Sequence, residues 1–182
     1  MKKGIFGILF TLCMVLCLVP ARVFAEGETT KEVGTEQELA DALADSTVDV
    51  ITLKNDICVS TTLNVDRTVT LDIYGYMLEM SGSGGVFVVK NGGHLTLKDS
   101  DLTSTYKFTP DAEGLWKWDT SGTEIVNGGV IYGGNAKSEN GNGGGVYVDN
   151  GGRFTMNGGS IVGCSSRKRA AVYMCTGAAN LR

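Results

Sequence analysis

The chain has 182 residues and a formal charge of −4, from 16 lysine and arginine residues against 20 aspartate and glutamate residues. Its 26 glycines with only 2 prolines and no three-residue period exclude collagen, and its 42% hydrophobic content is too high for a disordered chain. One domain with a core is therefore expected, and the acidic balance with a single histidine offers no basic surface for nucleic acid.

The N-terminal segment has the pattern of a secretion signal. Two lysines precede an apolar run from 5 to 19, Pro20 ends this run, and Val23 and Ala25 stand at the two positions that a signal peptidase reads. A retained membrane helix is the alternative, but it needs about 20 apolar residues. We predict a signal peptide at 1–25, a secreted or cell-surface mature chain, and no membrane contact after cleavage.

A short helix is predicted near the start of the mature chain. Residues 26–34 are polar and are expected to be flexible. Thr35 and Glu38 have the capping-box spacing, in which a threonine hydroxyl and a glutamate carboxylate bind unpaired backbone N–H groups. Two leucines among alanines then give one apolar face, so we expect a helix that reaches about Asp45.

From Val48 onward, apolar residues recur at every second position instead of at the spacing of a helix. Short runs rich in β-branched residues alternate with Asn, Asp, Gly and Ser, as in strands joined by turns. No second helical pattern follows, which excludes a sheet built from alternating strands and helices. The chain is therefore expected to be all-β after its first helix. The clearest runs are 50–53, 57–59, 63–65, 69–73 and 87–89.

Two sequence units recur along the chain. The stretch 87–97 aligns with 146–156, and both contain Asn-Gly-Gly, one variable residue, and then threonine between two apolar residues. The stretch 127–133 recurs thirty positions later as 157–163. Glycine and asparagine tolerate the backbone angles of a sharp corner, so Asn-Gly-Gly is interpreted as the corner between short strands. The predicted corner glycines are Gly92, Gly93, Gly128, Gly129, Gly151, Gly152, Gly158 and Gly159.

This repetition predicts stacked coils. A strand of three to five residues cannot bury its apolar face alone, but coils that recur every 20 to 30 residues or so form a continuous core when they stack. We predict a right-handed parallel β-helix over 35–164, with the helix as the cap of its first coil. The alternative is an antiparallel sandwich whose Asn-Gly pairs form hairpin turns, which would not require the same motif to recur.

An aromatic segment interrupts the coil pattern at 103–123. It contains Tyr106 and both tryptophans of the chain, Trp116 and Trp118. Loops that project from a solenoid often carry binding residues, and tryptophan faces suit sugar rings or a protein partner. We predict that these three residues bind a ligand. The alternative is that Leu115 and the tryptophans fold back as a lid on the flank of the β-helix.

The last segment, 165–182, differs in character from the coils before it. It contains Arg167-Lys168-Arg169 and no acidic residue. The coding DNA can also be read in a shifted frame, in which each codon takes the third base of one codon and the first two bases of the next. In that frame the codons of Met174-Cys175 can encode only valine between them, and the segment regenerates the Gly-Gly-Gly-Val-Tyr-Val motif of 143–148. We interpret 165–182 as a frameshifted tail. The alternative is a genuine basic tail that binds an acidic wall polymer.

Several stretches resemble the β-helical, adhesin-like surface proteins of gut-dwelling Gram-positive bacteria. They are Asp66 to Gly75, Gly-Leu-Trp at 114–116, the motif at 143–148 and the stretch 151–159. The resemblance covers about Val33 to Ser165 and implies a pectin lyase-like β-helix displayed on a surface. Members of that family usually continue with more coils and wall-attachment modules, so we expect this chain to be an N-terminal fragment.

The acidic residues give little indication of catalysis. Asp99 and Asp101 form the tight acid pair of the coil region, and we interpret them as the end of a strand rather than as a catalytic or calcium site. Arg67 is expected at a coil edge, where it pairs with Asp66 or Asp72. We predict no catalytic residue, no metal site and no cofactor.

His94 and the cysteines are given structural interpretations. His94 occupies the variable position that Arg153 holds in the later repeat, which indicates a solvated side chain. Cys58 and Cys164 are far apart in sequence and are expected to be buried free thiols in stacked interior positions.

The sequence therefore favours a non-catalytic, adhesin-like protein that presents loops to glycans or to host or microbial surface proteins. The alternative is a fragment of a carbohydrate-active β-helix enzyme, either a pectate-lyase-like polysaccharide lyase or a glycoside hydrolase, whose catalytic coils lie further along.

Overall fold

The protein, in a computed structural model that describes residues 27–137, 143–167, 171–175 and 180–181, consists mainly of short β-strands. The predicted all-β class is confirmed. The helix α1 (Glu36–Ala44) lies where the sequence predicts it. Among the described residues, no helix has the length and apolar character needed to cross a membrane. The predicted signal peptide at 1–25 lies outside the described residues.

Most strands belong to three sheets. Sheet 1 has six strands in the order β1 (Thr30–Val33), β2 (Val50–Leu53), β5 (Thr68–Asp72), β8 (His94–Lys98), β15 (Arg153–Met156) and β19 (Asn180–Leu181). Sheet 2 has the order β16 (Ser160–Val162), β12 (Val130–Tyr132), β6 (Met77–Met80) and β3 (Ile57–Val59). Sheet 3 has the order β18 (Val172–Met174), β14 (Val146–Val148), β7 (Phe87–Val89) and β4 (Leu63–Val65).

Two smaller sheets complete the described strands. One pairs β13 (Asn135–Ala136) with β17 (Ser165–Ser166) in parallel. The other, which we call the projecting sheet, is antiparallel and has the order β10 (Trp116–Trp118), β9 (Thr105–Pro110) and β11 (Glu124–Asn127).

The chain passes through sheets 1, 2 and 3 in turn, and we call one such pass a rung. Strands β2, β3 and β4 form one rung, and β5, β6 and β7 form the next. Every pairing within these three sheets is parallel. The antiparallel sandwich is therefore wrong for this part of the chain.

The sequence repeats are aligned rungs. Phe87 to Val89 pair with Val146 to Val148, and His94 to Leu97 pair with Arg153 to Met156, which is the alignment of the two long repeats. The second repeat behaves in the same way, because Val130 to Tyr132 pair with Ser160 to Val162. Equivalent positions of the repeats therefore lie directly above one another in the stack.

The core lies between the three sheets and is built from these aligned positions. In sheet 1, Ile51 pairs with Leu71 and Leu71 with Leu97, and all three side chains are fully buried. Burying one such side chain contributes about 1.5–3 kcal/mol.

The expectation that Cys58 is a buried thiol is wrong. Cys58 is exposed, because its neighbours Ile57 and Val59 take the inward positions of β3.

The tail, with the residues that the sequence gives it, adds a strand to the stack. Val172 to Met174 pair with Val146 to Val148 as an added strand of sheet 3. Residues 168–170, 176–179 and 182 lie outside the described residues, so the frameshift interpretation stays a prediction. Cys164, before the tail, is a partly buried free thiol, and burial raises its pKa to about 11.

The helix is capped at its N-terminus and packs its apolar face on the first rung. The Thr35 hydroxyl accepts the N–H of Glu38 at 3.1 Å, and the Glu38 carboxylate accepts the N–H of Gly34 at 2.7 Å. The predicted capping is confirmed, with the glutamate bound one residue earlier than in a standard capping box. Leu39 and Leu43 are buried in the main core, so the helix closes this end of it.

Arg67 joins the end of the helix to sheet 1, which corrects the predicted pairing with Asp66 or Asp72. Its guanidinium donates hydrogen bonds to the carbonyl oxygens of Ala42, Leu43 and Val48 at 2.7–2.8 Å, and to that of Thr68 at 3.1 Å. Asp72 instead forms an ion pair with Lys98 at 3.3 Å. Carbonyl groups at a helix C-terminus have no partner within the helix, so a planar cation with several donors suits this position.

The Asn-Gly-Gly corners use their two glycines differently. Gly92 has φ +82°, a left-handed conformation that side chains rarely adopt, and the space around it is open. Gly93 has an ordinary φ, but a Cβ there would collide with the carbonyl oxygen of Val65 in the rung before. Left-handed angles also occur at Gly128, Gly151 and Gly159, while Gly129, Gly152 and Gly158 lie close to neighbouring rungs.

The Arg67→Met variant is expected to lose about 2–3 kcal/mol of unfolding free energy, because four carbonyl oxygens lose a charged donor. Arg67→Lys should recover part of this loss, since an ammonium group cannot reach all four oxygens. Denaturant unfolding followed by far-UV circular dichroism measures both. Arg153→Met, at an exposed arginine, is the matched control and should change the midpoint little.

The Gly92→Ala and Gly93→Ala variants separate the two corner requirements. Gly92→Ala should cost about 1 kcal/mol for the left-handed backbone. Gly93→Ala should cost about 2–3 kcal/mol, because the backbones of two rungs must move apart. Equal unfolding midpoints for the two variants would contradict this assignment.

Candidate binding site

The aromatic segment folds into the projecting sheet rather than into an irregular loop. β9 pairs with β10 on one side and with β11 on the other. The sheet therefore runs to Asn127, beyond the predicted insertion at 103–123, because the whole of β11 pairs with β9. The chain then returns to sheet 2 through the Gly128–Gly129 corner.

The projecting sheet packs its inner face against the outside of sheet 2. Phe108 of β9 is fully buried there with Met77 and Val130, which lie on β6 and β12. The ring centroid of Phe108 is 6.1 Å from that of Trp116 and 5.6 Å from that of Tyr132. These contacts form a second hydrophobic cluster, separate from the main core, that holds the projecting sheet in place.

Tyr106 fixes the base of the projecting sheet through its hydroxyl group. The hydroxyl donates to the Asp56 carboxylate at 2.6 Å, and the same Asp56 oxygen accepts the N–H of Met77 at 2.7 Å. Burial and the bond to Asp56 raise the pKa of the Tyr106 hydroxyl well above its usual range. One carboxylate therefore links the projecting sheet to the rung beneath it.

The two tryptophans differ in what they present to solvent. Trp116 is partly buried against Phe108, whereas the side chain of Trp118 is 47% exposed at the edge of the sheet. The backbone N–H of Trp118 donates to the Tyr132 hydroxyl at 2.9 Å, which holds β10 against sheet 2. The structure thus brings Tyr106, Trp116 and Trp118 to one small sheet, where Trp118 offers the most accessible ring. Ligand binding by the three residues stays a prediction.

The acid pair of the coil region binds backbone groups. Asp99 accepts the N–H of Gly75 at 2.7 Å and the N–H of Gly129 at 2.6 Å, so it connects two corners. Asp101 accepts the N–H and the hydroxyl of Thr103, and these bonds lower its pKa. Among the described residues, no group of three or more His, Cys, Asp or Glu side chains could hold a metal ion.

His94 and Arg153 lie on sheet 1, away from the face that carries the projecting sheet. They pair in register, and His94 Nε2 lies 2.9 Å from the Thr155 hydroxyl. Partial burial, and then the positive charge of Arg153, lower the pKa of His94. Sequence repetition could place the two side chains together, but it could not indicate the hydrogen bond to Thr155.

The chain was compared with known proteins. Residues 30–158 match a family model described as "Putative pectate lyase-like adhesive domain". This match begins with β1 and spans the first three rungs, the projecting sheet and β15. No curated protein and no solved structure shows significant similarity to the chain.

The Tyr106→Phe variant should weaken the attachment of the projecting sheet by about 1–2 kcal/mol, because Asp56 loses a short hydrogen bond. Both tryptophans of the chain lie on β10, so tryptophan fluorescence reports on this sheet. We expect the fluorescence transition in denaturant to move to a lower concentration. Tyr74→Phe, at an exposed tyrosine outside the projecting sheet, is the control and should leave this transition in place.

Proposed function

Because the chain belongs to the family of pectate lyase-like adhesive domains, we propose that it is an adhesin-like protein that binds a surface partner through side chains displayed on a rigid stack of rungs. The observation that carries this proposal is the docked projecting sheet, which holds a half-exposed tryptophan on the outside of that stack.

The scaffold that we propose is a right-handed parallel β-helix. It is supported by the parallel pairing of three sheets that the chain visits in a repeating order. The hand follows from the twist of β-strands, which makes about 98% of parallel crossover connections right-handed. Aligned rungs share one continuous core, and such a stack keeps the groups on its outer faces at fixed spacings.

The partner that we propose is a glycan or a glycosylated surface protein of a host or microbe. A sugar ring has an apolar face and a polar rim, and a partly exposed indole offers an apolar face with an N–H donor at its edge. The backbone of Trp118 is anchored to Tyr132, so little backbone order has to be gained on binding. Tyr106 and Trp116 lie on the same face of the sheet, where Tyr106 binds Asp56 and Trp116 packs against Phe108.

The location that we propose is outside the cell, on a surface or in the medium. The family of adhesive domains supports it, as does the lysine-led apolar segment before Ala25. A carbohydrate-cleaving enzyme is not favoured, because Asp99 accepts hydrogen bonds from two backbone N–H groups and Asp101 from the N–H and hydroxyl of Thr103.

The Trp118→Ala variant tests the proposed binding surface. Immobilised glycans of diverse composition are probed with the full mature chain, and the dissociation constant for the best one is measured by biolayer interferometry. Loss of the indole face should weaken binding at least tenfold, which corresponds to about 1.4 kcal/mol.

Ile125→Ala is the matched control, since Ile125 is 59% exposed on the outer face of the same sheet. It should leave the dissociation constant unchanged. Equal affinity of the Trp118→Ala variant and the unmodified protein would refute the role of Trp118. Absence of binding to every glycan and to surface proteins of host and microbial cells would refute the adhesive function itself.

A further inference from the structure

On β5, β8 and β15, the outer face of sheet 1 carries polar side chains in registered rows. Inward residues such as Val69, Leu95 and Phe154 are buried, so the residues between them point outward. One row contains three threonines, and the adjacent row combines a threonine, a histidine and an arginine. The first row is Thr70, Thr96 and Thr155, and the second is Thr68, His94 and Arg153.

This face is open in the part of the chain that the structure describes. The projecting sheet packs on sheet 2, and α1 packs at the first rung, so neither covers β8 or β15. Arg153 and Thr68 are exposed, while the threonines and His94 are partly exposed. Successive strands lie about 4.7–4.9 Å apart, so each row offers polar groups at a regular spacing.

Arg153 supplies a positive charge that no described acidic side chain neutralises. Three of the described lysines are ion-paired: Lys98 with Asp72 at 3.3 Å, Lys117 with Asp111 at 3.5 Å, and Lys54 with Glu38 at 3.8 Å. Arg153 makes no ion pair or side-chain hydrogen bond with the residues that are described, and its paired neighbour is His94. An arginine of this kind favours an anion that can accept two parallel hydrogen bonds.

His94 is held beside this arginine in a defined orientation. Its Nε2 atom contacts the Thr155 hydroxyl at 2.9 Å, which fixes the ring across the two rows. The charged groups nearest in the registered strands are Arg153, in the same row, and the Lys98–Asp72 pair, at the other end of β8. An anion over Arg153 would therefore also lie near the imidazole ring.

We propose that the face formed by Arg153, His94 and the threonine row of sheet 1 binds an oligosaccharide that carries a single carboxylate. Arg153 holds the carboxylate, and the hydroxyls of Thr96 and Thr155 exchange hydrogen bonds with neutral hydroxyls of the adjoining sugars. The proposal rests on the proposed adhesive function, because it names a glycan class for a second face of the same domain.

The charge distribution favours one carboxylate over a polyanion. The row contains a single arginine, and the next cation along β8 is already paired with Asp72. Glu32 lies exposed further along the outer face, in the row that ends at Lys98, and would repel further anionic groups. The chain as a whole is acidic, with a formal charge of −4, which also opposes long anionic polymers.

The chain has a single histidine, so every histidine ring signal in an NMR spectrum of the protein belongs to His94. The ring-proton NMR signals of His94 are titrated between about pH 5 and 8 in the full mature chain. The probe is a trisaccharide that ends in a sialic acid, and the control sugar is the neutral disaccharide without it. A bound carboxylate stabilises the imidazolium, so the acidic probe should raise the pKa of His94 by about 1, and the neutral sugar should leave it unchanged.

The Arg153→Gln variant should weaken binding of the acidic probe at least tenfold and should lose the ligand-induced rise in the pKa of His94. Lys117→Gln removes the same charge from the projecting sheet and should change neither. A rise that persists in the Arg153→Gln variant, or no rise at saturation with the probe, would overturn the proposal. An equal rise with free acetate would likewise overturn it, since the face would then bind any small anion.

These outcomes are separable from failure of the proposed function. Trp118→Ala should leave the response of His94 intact. If His94 does not respond while a glycan still binds in a Trp118-dependent way, the sheet 1 site is wrong and the adhesive function stands.

Discussion

Parallel backbone pairing between successive rungs is the interaction on which the rest of this structure depends. Strands of three to five residues have too few side chains to bury an apolar face alone. Stacking in register places Ile51, Leu71 and Leu97 above one another, so that each rung completes the core of its neighbour. A shift of one residue would turn these side chains to solvent, which makes the register a strict requirement.

The need to turn the chain sharply between sheets explains how the charged residues are used. Corners expose backbone N–H and C=O groups that no sheet pairs, and buried backbone groups need partners. Asp99 binds two such N–H groups, and Arg67 binds four carbonyl groups where the end of the helix meets the start of β5. Side chains that would suggest chemistry in a sequence therefore stabilise the backbone where elements end and the chain turns.

Two outer surfaces remain available for recognition, and they differ in chemistry. The projecting sheet offers an aromatic surface around Trp118, held on sheet 2 by Phe108 and by the bond between Tyr106 and Asp56. The outer face of sheet 1 offers hydroxyl groups and one arginine. Both surfaces belong to sheets rather than to irregular loops, so strand pairing holds the backbone that carries their side chains.

The sequence by itself determined the helix at 36–44, the all-β class and the alignment of the repeats, because these depend on local periodicity and on repetition of one motif. It also placed Tyr106, Trp116 and Trp118 together in one segment, since they are close along the chain. Only the tertiary structure decided that Trp116 packs inward while Trp118 stays exposed, that Cys58 faces solvent, and that Arg67 binds carbonyl groups of the helix rather than a neighbouring aspartate. These features depend on contacts between residues of different strands and rungs, such as Arg67 and Ala42, which are 25 positions apart. Such contacts exist only after the rungs have stacked and the projecting sheet has docked on sheet 2.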